Sequence, residues 1–295
     1  KELEPGLNAL FGLEYKRYEN QHAEIYVTES SDRAFEEEVM LSGFANAQTK
    51  AEGQGVSFDV AQETYTARYT HDTIALAFAI TEEAIEDNLY DRISSRYTKA
   101  LARSMSNAKQ VKAVTPLIDG LPSTDGFDSG DGVSLFNTAH TTVSGTNVKN
   151  TLTTQADLNE TSLEQSLIDI AAMTDERGLR IAARGVKMII PSANQFTAER
   201  LMKSQGRTGT ADNDINAIGS MGMIPQGYRV NNYLTDSDSF YIITDVPNGM
   251  KMFQRAPLKT AMEGDFDTGN VRYKARERYS FGVSDYRGIF GVEGA

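Results

Sequence analysis

One stretch, residues 81–114, constrains the fold more than any other part of the chain. It contains neither Gly nor Pro, and most of its residues favour or tolerate a helix. Thr81 is a suitable N-cap, and Glu82 and Glu83 follow in the first turn, where the helix dipole favours negative charge. About 33 residues at ~1.5 Å each give a rod of roughly 50 Å. Pro116 is expected to stop this helix, which would be a spine against which other parts pack.

An apolar stripe runs along this spine helix. Its members recur every four residues and share one face that turns slowly round the axis: Ile85, Leu89, Ile93, Tyr97, Leu101 and Met105. A coiled coil is the alternative, but a heptad seam alternates spacings of three and four residues, and this stripe does not. The pattern favours a helix packed against its own chain.

Composition limits the class of protein. The chain has 295 residues, of which 40% are hydrophobic and 24% charged, as in a folded protein with one large domain or two ordinary ones. The best apolar run, residues 74–80, is far shorter than the ~18–20 residues of a membrane-spanning helix. No Cys is present, which excludes disulfides and thiolate metal sites. The net charge of −12 argues against a protein devoted to gripping nucleic acid.

Charge is segregated along the sequence. Residues 1–40 hold ten acidic side chains and four basic ones. Their net charge of −6 is half of the net charge of the whole chain. Residues 96–112 hold five bases and no acid, and four bases within residues 272–278 oppose only Glu277. Such segregation predicts contacts between different parts of the chain or between copies. A solvated charged face would produce the same pattern.

The region before the spine helix is predicted to be an arm followed by strands. Residues 1–34 carry scattered apolar side chains interrupted by Pro and Gly, as in an extended or partly helical arm that must dock on something. Residues 35–47 are expected to form a short strand or turn, and residues 50–56 a flexible loop tip. Alternating apolar and polar residues then predict strands at 56–60, 64–70 and 74–80. Together these form a long β-excursion.

After Pro116 the sequence indicates a loop-rich segment, 119–150, and then a compact α/β unit at residues 150–246. Helices are predicted at 161–177, with Gly178 as terminator, and at 191–204. Strands are predicted at 186–190, 228–233 and 240–244. The tail, residues 250–292, returns to β-character, with a turn at 267–270 and a long strand at 271–283. We expect this terminal ribbon to pair with the spine helix.

Catalytic and metal-binding patterns are weak. The three His residues, His22, His71 and His140, lie in unlike contexts, so ordinary structural roles are favoured over a metal trio. Residues 128–132 resemble a cation loop but lack the alternating oxygens and closing Glu of an EF-hand, which favours a polar turn. Glu36, Glu37 and Glu38 are consecutive and do not face one another, so they do not indicate acid–base catalysis. No phosphate loop, dinucleotide fingerprint or nucleophile elbow is present.

Three segments and their order resemble the major capsid proteins of tailed bacteriophages. The segments are FAITEEAIEDNLYDRISSRYTKALARSM (78–105); SLFNTAHTTV (134–143) followed by a helix and VKMIIPSANQFTAERLM (186–202); and DVPNGMKMFQRAPLKTAMEGDFDTGNVRYKARERYSFGVSDYRGIFG (245–291). SLFNTAH and VPNGMKMFQR look most like the head proteins of Mu-like and related phages. The resemblance covers the chain from about residue 35 to its end.

This resemblance implies an α+β protein of the HK-ninety-seven-like capsid fold. It divides the chain into an N-terminal arm (1–34), an extended β-loop (35–74), a peripheral domain of spine helix and β-ribbon (75–114 and 248–295) and a central axial domain (115–247). It implies pentamers and hexamers that form an icosahedral shell round double-stranded DNA, with no catalytic site, cofactor, metal or membrane. The expected location is the virion, and the host cytoplasm during assembly.

The implied partners are further copies of the chain, weakly and non-specifically bound DNA, and decoration, portal and scaffolding proteins. Charge pattern and resemblance together give these candidate inter-subunit contacts: Glu36, Glu37, Glu38, Lys50, Tyr65, Arg68, Tyr69, Arg96, Arg103, Arg272, Lys274 and Arg276. Some relatives join subunits by a Lys–Asn isopeptide bond. Lys50 lies where such a Lys would be, but no Asn or Glu elsewhere matches that chemistry, so a cross-link is not assigned.

Two alternatives remain open from sequence. One is an encapsulin-type compartment with the same fold and protein cargo. The other is an enzyme whose catalytic domain is the α/β unit, which would need a pocket of convergent polar groups between residues 150 and 246.

Overall fold

The computed structural model describes residues 3–86, 90–207, 214–265 and 269–295, and side chains within these ranges except those of residues 3 and 85–93. The helices are α1 Leu3–Arg17, α2 Glu82–Glu86, α3 Tyr90–Asp119, α4 Glu160–Ala172, α5 Gln195–Lys203 and α6 Ala217–Met221. The strands are β1 Val27–Ser30, β2 Phe35–Leu41, β3 Glu63–Thr70, β4 Asp72–Ile80, β5 His140–Thr141, β6 Asn147–Val148, β7 Gly185–Ile190, β8 Tyr228–Val230, β9 Phe240–Thr244, β10 Met250–Gly264, β11 Val271–Val283 and β12 Ile289–Val292.

The chain forms two compact units. The first unit comprises Lys1–Glu36, Tyr69–Ala113 and Met252–Phe281; the second comprises Glu37–Arg68, Val114–Lys251 and Gly282–Ala295. Helix α3 and the long strands contribute residues to both. The four-part division expected from sequence remains a prediction.

A four-stranded sheet of order β1-β10-β11-β4 organises the first unit. β11 pairs antiparallel with β4, from Val271 opposite Ile80 to Tyr279 opposite Asp72. Helices α1 and α3 pack on one face of this sheet through a shared buried cluster: Leu7, Phe11, Leu101, Ala102, Met105, Tyr273 and Ala275. The prediction that the spine helix packs against the tail ribbon is therefore confirmed.

The spine helix differs from its prediction at its end. Its apolar stripe is buried at Leu101 and Met105, whereas Tyr97 is half-exposed; the stripe positions 85, 89 and 93 lie outside the described side chains. The expectation that Pro116 stops the helix is wrong, because α3 continues to Asp119 with Pro116 inside it. A proline so close to the end removes one backbone hydrogen bond only, to the carbonyl of residue 112. Continuing the helix places Leu117 in a fully buried position.

The second unit is built on a sheet of order β12-β9-β7-β8. β7 is parallel to β8 and antiparallel to β9, and its residues Met188, Ile189 and Ile190 are almost fully buried. The predicted strands at 186–190 and 240–244 are confirmed. Strand β12, which lies in the tail predicted to be β-rich, pairs with β9. Gly291 permits this placement, since an added Cβ would lie 2.6 Å from the ring of Phe136.

Helix α4 is shorter than predicted, because it ends at Ala172 and not near residue 177. The side chain of Asp175 accepts hydrogen bonds from the backbone amides of Arg177 and Leu179, at 2.9 and 2.8 Å. This turn competes with the helix for the same backbone groups and ends it early. Strand β8 is likewise shorter than predicted, because the Asn231 side chain accepts from the amide of Tyr233 and begins a turn.

Strands β2 and β3 form a separate two-stranded hairpin whose connection is residues 42–62. The strand predicted at 56–60 is wrong, since no regular strand forms there. Its apolar side chains have no neighbouring strand in the subunit and stand in solvent: Val56 is 68% exposed, Phe58 96% and Val60 72%. In the arm, α1 replaces the extended form, in line with the partly helical alternative.

Candidate inter-subunit surfaces

The hairpin connection, residues 42–62, exposes several large apolar side chains of the second unit. It contains Lys50, which is exposed, and the exposed ring of Phe58. The connection is held at its base, where the amide of Ser42 donates to the carbonyl of Gln62 at 2.8 Å and Arg177 donates to the carbonyl of Val60 at 2.7 Å. An exposed apolar tip on a fixed base is suited to contact another molecule.

Tyr65, a predicted contact residue, packs inside the second unit and anchors the hairpin there. Its ring lies 6.4 Å from that of Tyr286, centroid to centroid, and lies so close to Gly130 that an added Cβ there would be 2.5 Å from it. Burial raises the pKa of Tyr65 far above its ordinary value. Tyr65 is half-buried, whereas Tyr69 is buried in the first unit, where its ring meets Phe253 edge-on at 4.7 Å. The assignment of both tyrosines as contacts between copies stays a prediction.

Glu36, Glu37 and Glu38, which we call the acidic triad, lie on strand β2. Because side chains alternate between the two faces of a strand, Glu36 and Glu38 are half-buried and Glu37 is exposed. Glu36 accepts from the Ser31 hydroxyl at 2.7 Å, and Glu37 is paired with the exposed Arg68 at 3.8 Å. Glu38 binds the ammonium of Lys251 at 2.5 Å. The hydroxyl of Ser284 also donates to Glu38. Since Glu36 and Glu38 are half-buried and engaged within the subunit, only Glu37 presents an open carboxylate face.

The predicted basic contacts lie on two surfaces of the first unit. Arg96 and Arg103 are exposed on α3. On β11 an exposed basic row alternates with buried residues and lies opposite three exposed alanines of β4: Arg272 faces Ala79, Lys274 faces Ala77 and Arg276 faces Ala75. Arg272 also pairs with Asp265. The structure thus brings the three β11 residues together in one row.

Not all bases of the run 96–112 are at the surface. Lys109 is buried in the first unit and its ammonium lies 3.1 Å from the carboxylate of Glu277, which is fully buried. The ammonium also lies 5.0 Å from the ring centroid of Tyr279. Burial raises the pKa of Glu277, and the charge of Lys109 opposes that shift. This pair belongs to the core of the subunit.

A second buried charge cluster, centred on Arg287, was not predicted from the sequence. The Arg287 guanidinium is 2.6 Å from Glu176 and 3.2 Å from Asp285, in the second unit. Burial raises the pKa of Asp285, while the charge of Arg287 lowers it. A sequence signal existed, because Arg287 stands among aromatic and apolar residues, where a charge is retained only if it is paired.

The His residues are used in hydrogen bonding. His140 Nδ1 lies 2.6 Å from Asp131, and its ring stacks on Tyr286 at 3.8 Å, so the 128–132 loop directs its carboxylate to an imidazole. His71 bridges the hydroxyls of Ser31 and Ser280, at 2.9 Å each. Within the part of the chain that the structure describes, no group of three or more His, Asp or Glu side chains is placed to hold a metal ion.

One cleft of the second unit is lined by polar groups that already bind one another. This cleft of about 450 Å³ is lined by Leu152, Ala156, Asn159 and Asp169 among others. Lys149 lies 2.8 Å from Asp169, whose other oxygen accepts from Gln165, so the polar groups at this cleft bind one another. Across the described ranges, the helices are too short or too polar to cross a membrane.

Comparison with known proteins finds a phage capsid family by sequence and capsid structures by fold. Residues 64–292 match the family described as phage capsid protein. No curated protein sequence matches the chain. Among solved structures, the capsid of an empty GTA particle superposes with a TM-score of 0.58 at 12% identity, covering 92% of this chain and 89% of that one.

Two further structures share the fold. The capsid of Myoviridae phage XM1 has a TM-score of 0.55 at 11% identity, with coverages of 92% and 90%. The virus-like particle from Pyrococcus furiosus has a TM-score of 0.54 at 9% identity, with coverages of 99% and 100%. The expected HK-ninety-seven-like fold is confirmed. Because the family match spans more than three quarters of the sequence, the chain belongs to the phage capsid protein family.

Proposed function

We propose that this capsid protein is the major head protein of a tailed phage, and that its copies form pentamers and hexamers of an icosahedral shell round double-stranded DNA. Membership of the phage capsid family carries the proposal. It is supported by the exposed connection 42–62, because a phenylalanine that is 96% exposed in the subunit gains free energy when a neighbour covers it.

The role is structural. Buried charges of the subunit are engaged with one another: Lys109 pairs with Glu277 inside the first unit, and Arg287 pairs with Glu176 inside the second. The expected partners are other copies of the chain, the enclosed DNA, and the portal, scaffolding and decoration proteins of a phage head. The chain would lie in the virion, after assembly in the host cytoplasm.

Within this proposal, the sequence-derived division assigns contacts between copies to the arm (1–34) and the extended loop (35–74). The exposed positions on those segments include Lys50, Phe58 and Glu37. In this proposal the side chain of Lys50 is exposed to solvent and forms no isopeptide bond with another subunit. Denaturing gels of boiled particles should therefore show a monomer band without a covalent ladder.

Electron microscopy of purified native material, with its sedimentation rate, tests the proposed function. Uniform closed shells that contain DNA are expected. A chain that stays a monomer or small oligomer, even when expressed with any longer N-terminal segment that its gene encodes, would contradict the proposal.

A protein-cargo compartment is the second candidate. It is favoured by one observation, the full-length superposition on the virus-like particle from Pyrococcus furiosus. Closed shells that contain protein and no nucleic acid would select it over the phage head.

A further inference from the structure

The two units differ strongly in charge. The ranges of the second unit contain 13 Lys and Arg against 23 Asp and Glu, whereas those of the first unit contain 16 against 18. The second unit therefore carries most of the net charge of −12 and repels a polyanion. A surface that attracts DNA is best sought on the first unit.

Helices α1 and α3 form one layer of the first unit, since both pack on the same face of its sheet. On α3 the exposed bases Arg96, Lys99 and Arg103 are spaced by three and four residues, which puts them on one face of the helix. The last turn of α1 adds Lys16 and Arg17, which are also exposed. We call these five residues the helix-layer bases.

The α3 bases are not neutralised locally. The sequence from 92 to 118 contains no acidic residue, and among the described residues none of the three forms an ion pair. Arg17 alone of the helix-layer bases has an acidic neighbour, Glu14, at 3.7 Å, and its side chain is 73% exposed. Such a pair is weak in water and is readily exchanged for another anion.

The opposite surface, the open face of the sheet, is less favourable for a polyanion. Arg272 is paired with Asp265 on that side, and Glu263 is exposed on the neighbouring strand β10. Acidic groups within a Debye length of about 10 Å weaken the attraction of the β11 row for phosphate. On the helix layer Arg96, Lys99 and Arg103 form no ion pair among the described residues, whereas on the sheet face Arg272 is already paired.

We propose that the helix-layer bases are the surface on which the subunit contacts the phosphate backbone of the enclosed DNA. This inference rests on the proposed function and names the face that is turned to the genome. The contact is independent of base sequence, because phosphate neutralisation by Lys and Arg carries no base information. Each subunit binds weakly, and repetition over the shell supplies the total attraction.

Lysine acetylation of intact particles tests the assignment, read by mass spectrometry before and after the DNA is released by osmotic shock. Lys16 and Lys99 should become several-fold more reactive when DNA leaves, whereas Lys259 and Lys274 on the sheet face should not change. Constant reactivity of Lys99 would overturn the inference, because a lysine that is covered by DNA must become more reactive when the DNA leaves. A rise at Lys274 in place of Lys99 would overturn it as well.

Matched variants supply a second test on the unassembled subunit. The helix triple R96Q, K99Q and R103Q and the sheet triple R272Q, K274Q and R276Q change the net charge equally. In fluorescence anisotropy with a short duplex, the helix triple should lower the slope of log K against log salt by about 2–3, since each lost phosphate contact contributes roughly 0.9. The sheet triple should change it by less than about 1.

Equal slopes for the two triples, or the larger effect in the sheet triple, would overturn the inference. Circular dichroism before each titration confirms that both variants are folded. A failure of the wild-type chain to form shells contradicts the proposed function by itself, and is distinguishable because the anisotropy comparison needs no assembly.

Discussion

The ammonium of Lys109 on α3 lies 3.1 Å from the carboxylate of Glu277 on β11, and Glu277 is fully buried. The pair joins the helix layer to the sheet inside the first unit. Its geometry explains why one base of an otherwise exposed run is buried: a charge can be taken from water only if it is paired.

Replacing Lys109 by Met should destabilise the subunit by about 3–5 kcal/mol, because Glu277 would be left buried without its counter-charge. The double variant K109M/E277L should recover most of that loss. Urea unfolding of the two single variants and the double variant measures the coupling. Additive losses in the double variant would show that the two side chains do not act as a pair.

The stability of the first unit should fall in mild acid. Burial lowers the pKa of His22 to about 4, with a smaller contribution from the Lys109 charge, and the Gln110 hydrogen bond opposes the shift. An imidazole whose folded pKa is below its unfolded value of about 6.5 stabilises the fold at neutral pH, and this contribution is lost as the pH falls. For His22 the loss is about 2 kcal/mol between pH 7 and 5.

His71 should act in the same direction. Burial lowers its pKa, the nearby Arg278 and Arg255 lower it further, and Glu36 opposes them. Urea unfolding at several pH values between 7 and 5 tests this, with H22Q as the comparison, because that variant removes the His22 titration and retains the others. An unchanged pH slope in H22Q would exclude His22 as a contributor.

The hairpin anchor at Tyr65 should be sensitive to Gly130. In G130A the new methyl group would meet the Tyr65 ring at 2.5 Å, so the ring must move, at a cost of about 1–3 kcal/mol. Hydrogen exchange in β3 should then become faster. The control is G126A, whose methyl group would have only ordinary contacts of 3.4 Å and longer. Equal effects of the two substitutions would argue against a Tyr65 anchor.

Replacing Phe58 should lower the yield of assembled shells and leave the stability of the subunit unchanged. Since its side chain is 96% exposed, F58S should leave the free energy of unfolding within about 0.5 kcal/mol of the wild type. Shell yield in sedimentation should fall, because up to about 2–3 kcal/mol of burial is lost at each contact. F196S, at a 71% exposed position on α5, is the matched control. Normal shell yield from F58S would remove Phe58 from the contact.

Substitution by Lys should have different effects at Glu38 and at Glu37. E38K places a cation beside Lys251, which is buried, and should destabilise the subunit by several kcal/mol. E37K disrupts an exposed pair with Arg68 that is worth at most about 1 kcal/mol, so an assembly defect at low salt in this variant reports a contact between copies. Full particle yield from E37K would exclude that contact.

The sequence predicted the main elements because each depends on local chemistry. The helix of residues 90–119, the strand 186–190 and the long strand 271–283 are marked by propensity and by apolar spacing over many residues. The ends were harder. Pro116 and Asp175 act on one or two backbone hydrogen bonds each, and the outcome depends on what the next residues can bury.

The candidate contacts show the same division. Exposure of Arg96, Arg103, Lys50 and the β11 row follows from charge and strand alternation, which the sequence contains. The engagement of Glu38 with Lys251 depends on residues more than 200 positions apart, which no local pattern specifies.

The sequence by itself determined the spine helix, the alternation of the ribbon and the segregation of charge, since these depend on neighbouring residues. Only the tertiary structure decided which charges are buried, that β12 joins the sheet of the second unit, that Tyr69 is buried, and that Tyr65 packs near Tyr286. The physical reason is that burial is a property of the whole packing arrangement. A side chain leaves water only where distant segments meet. The free energy of burying it therefore depends on residues that are far apart in the sequence.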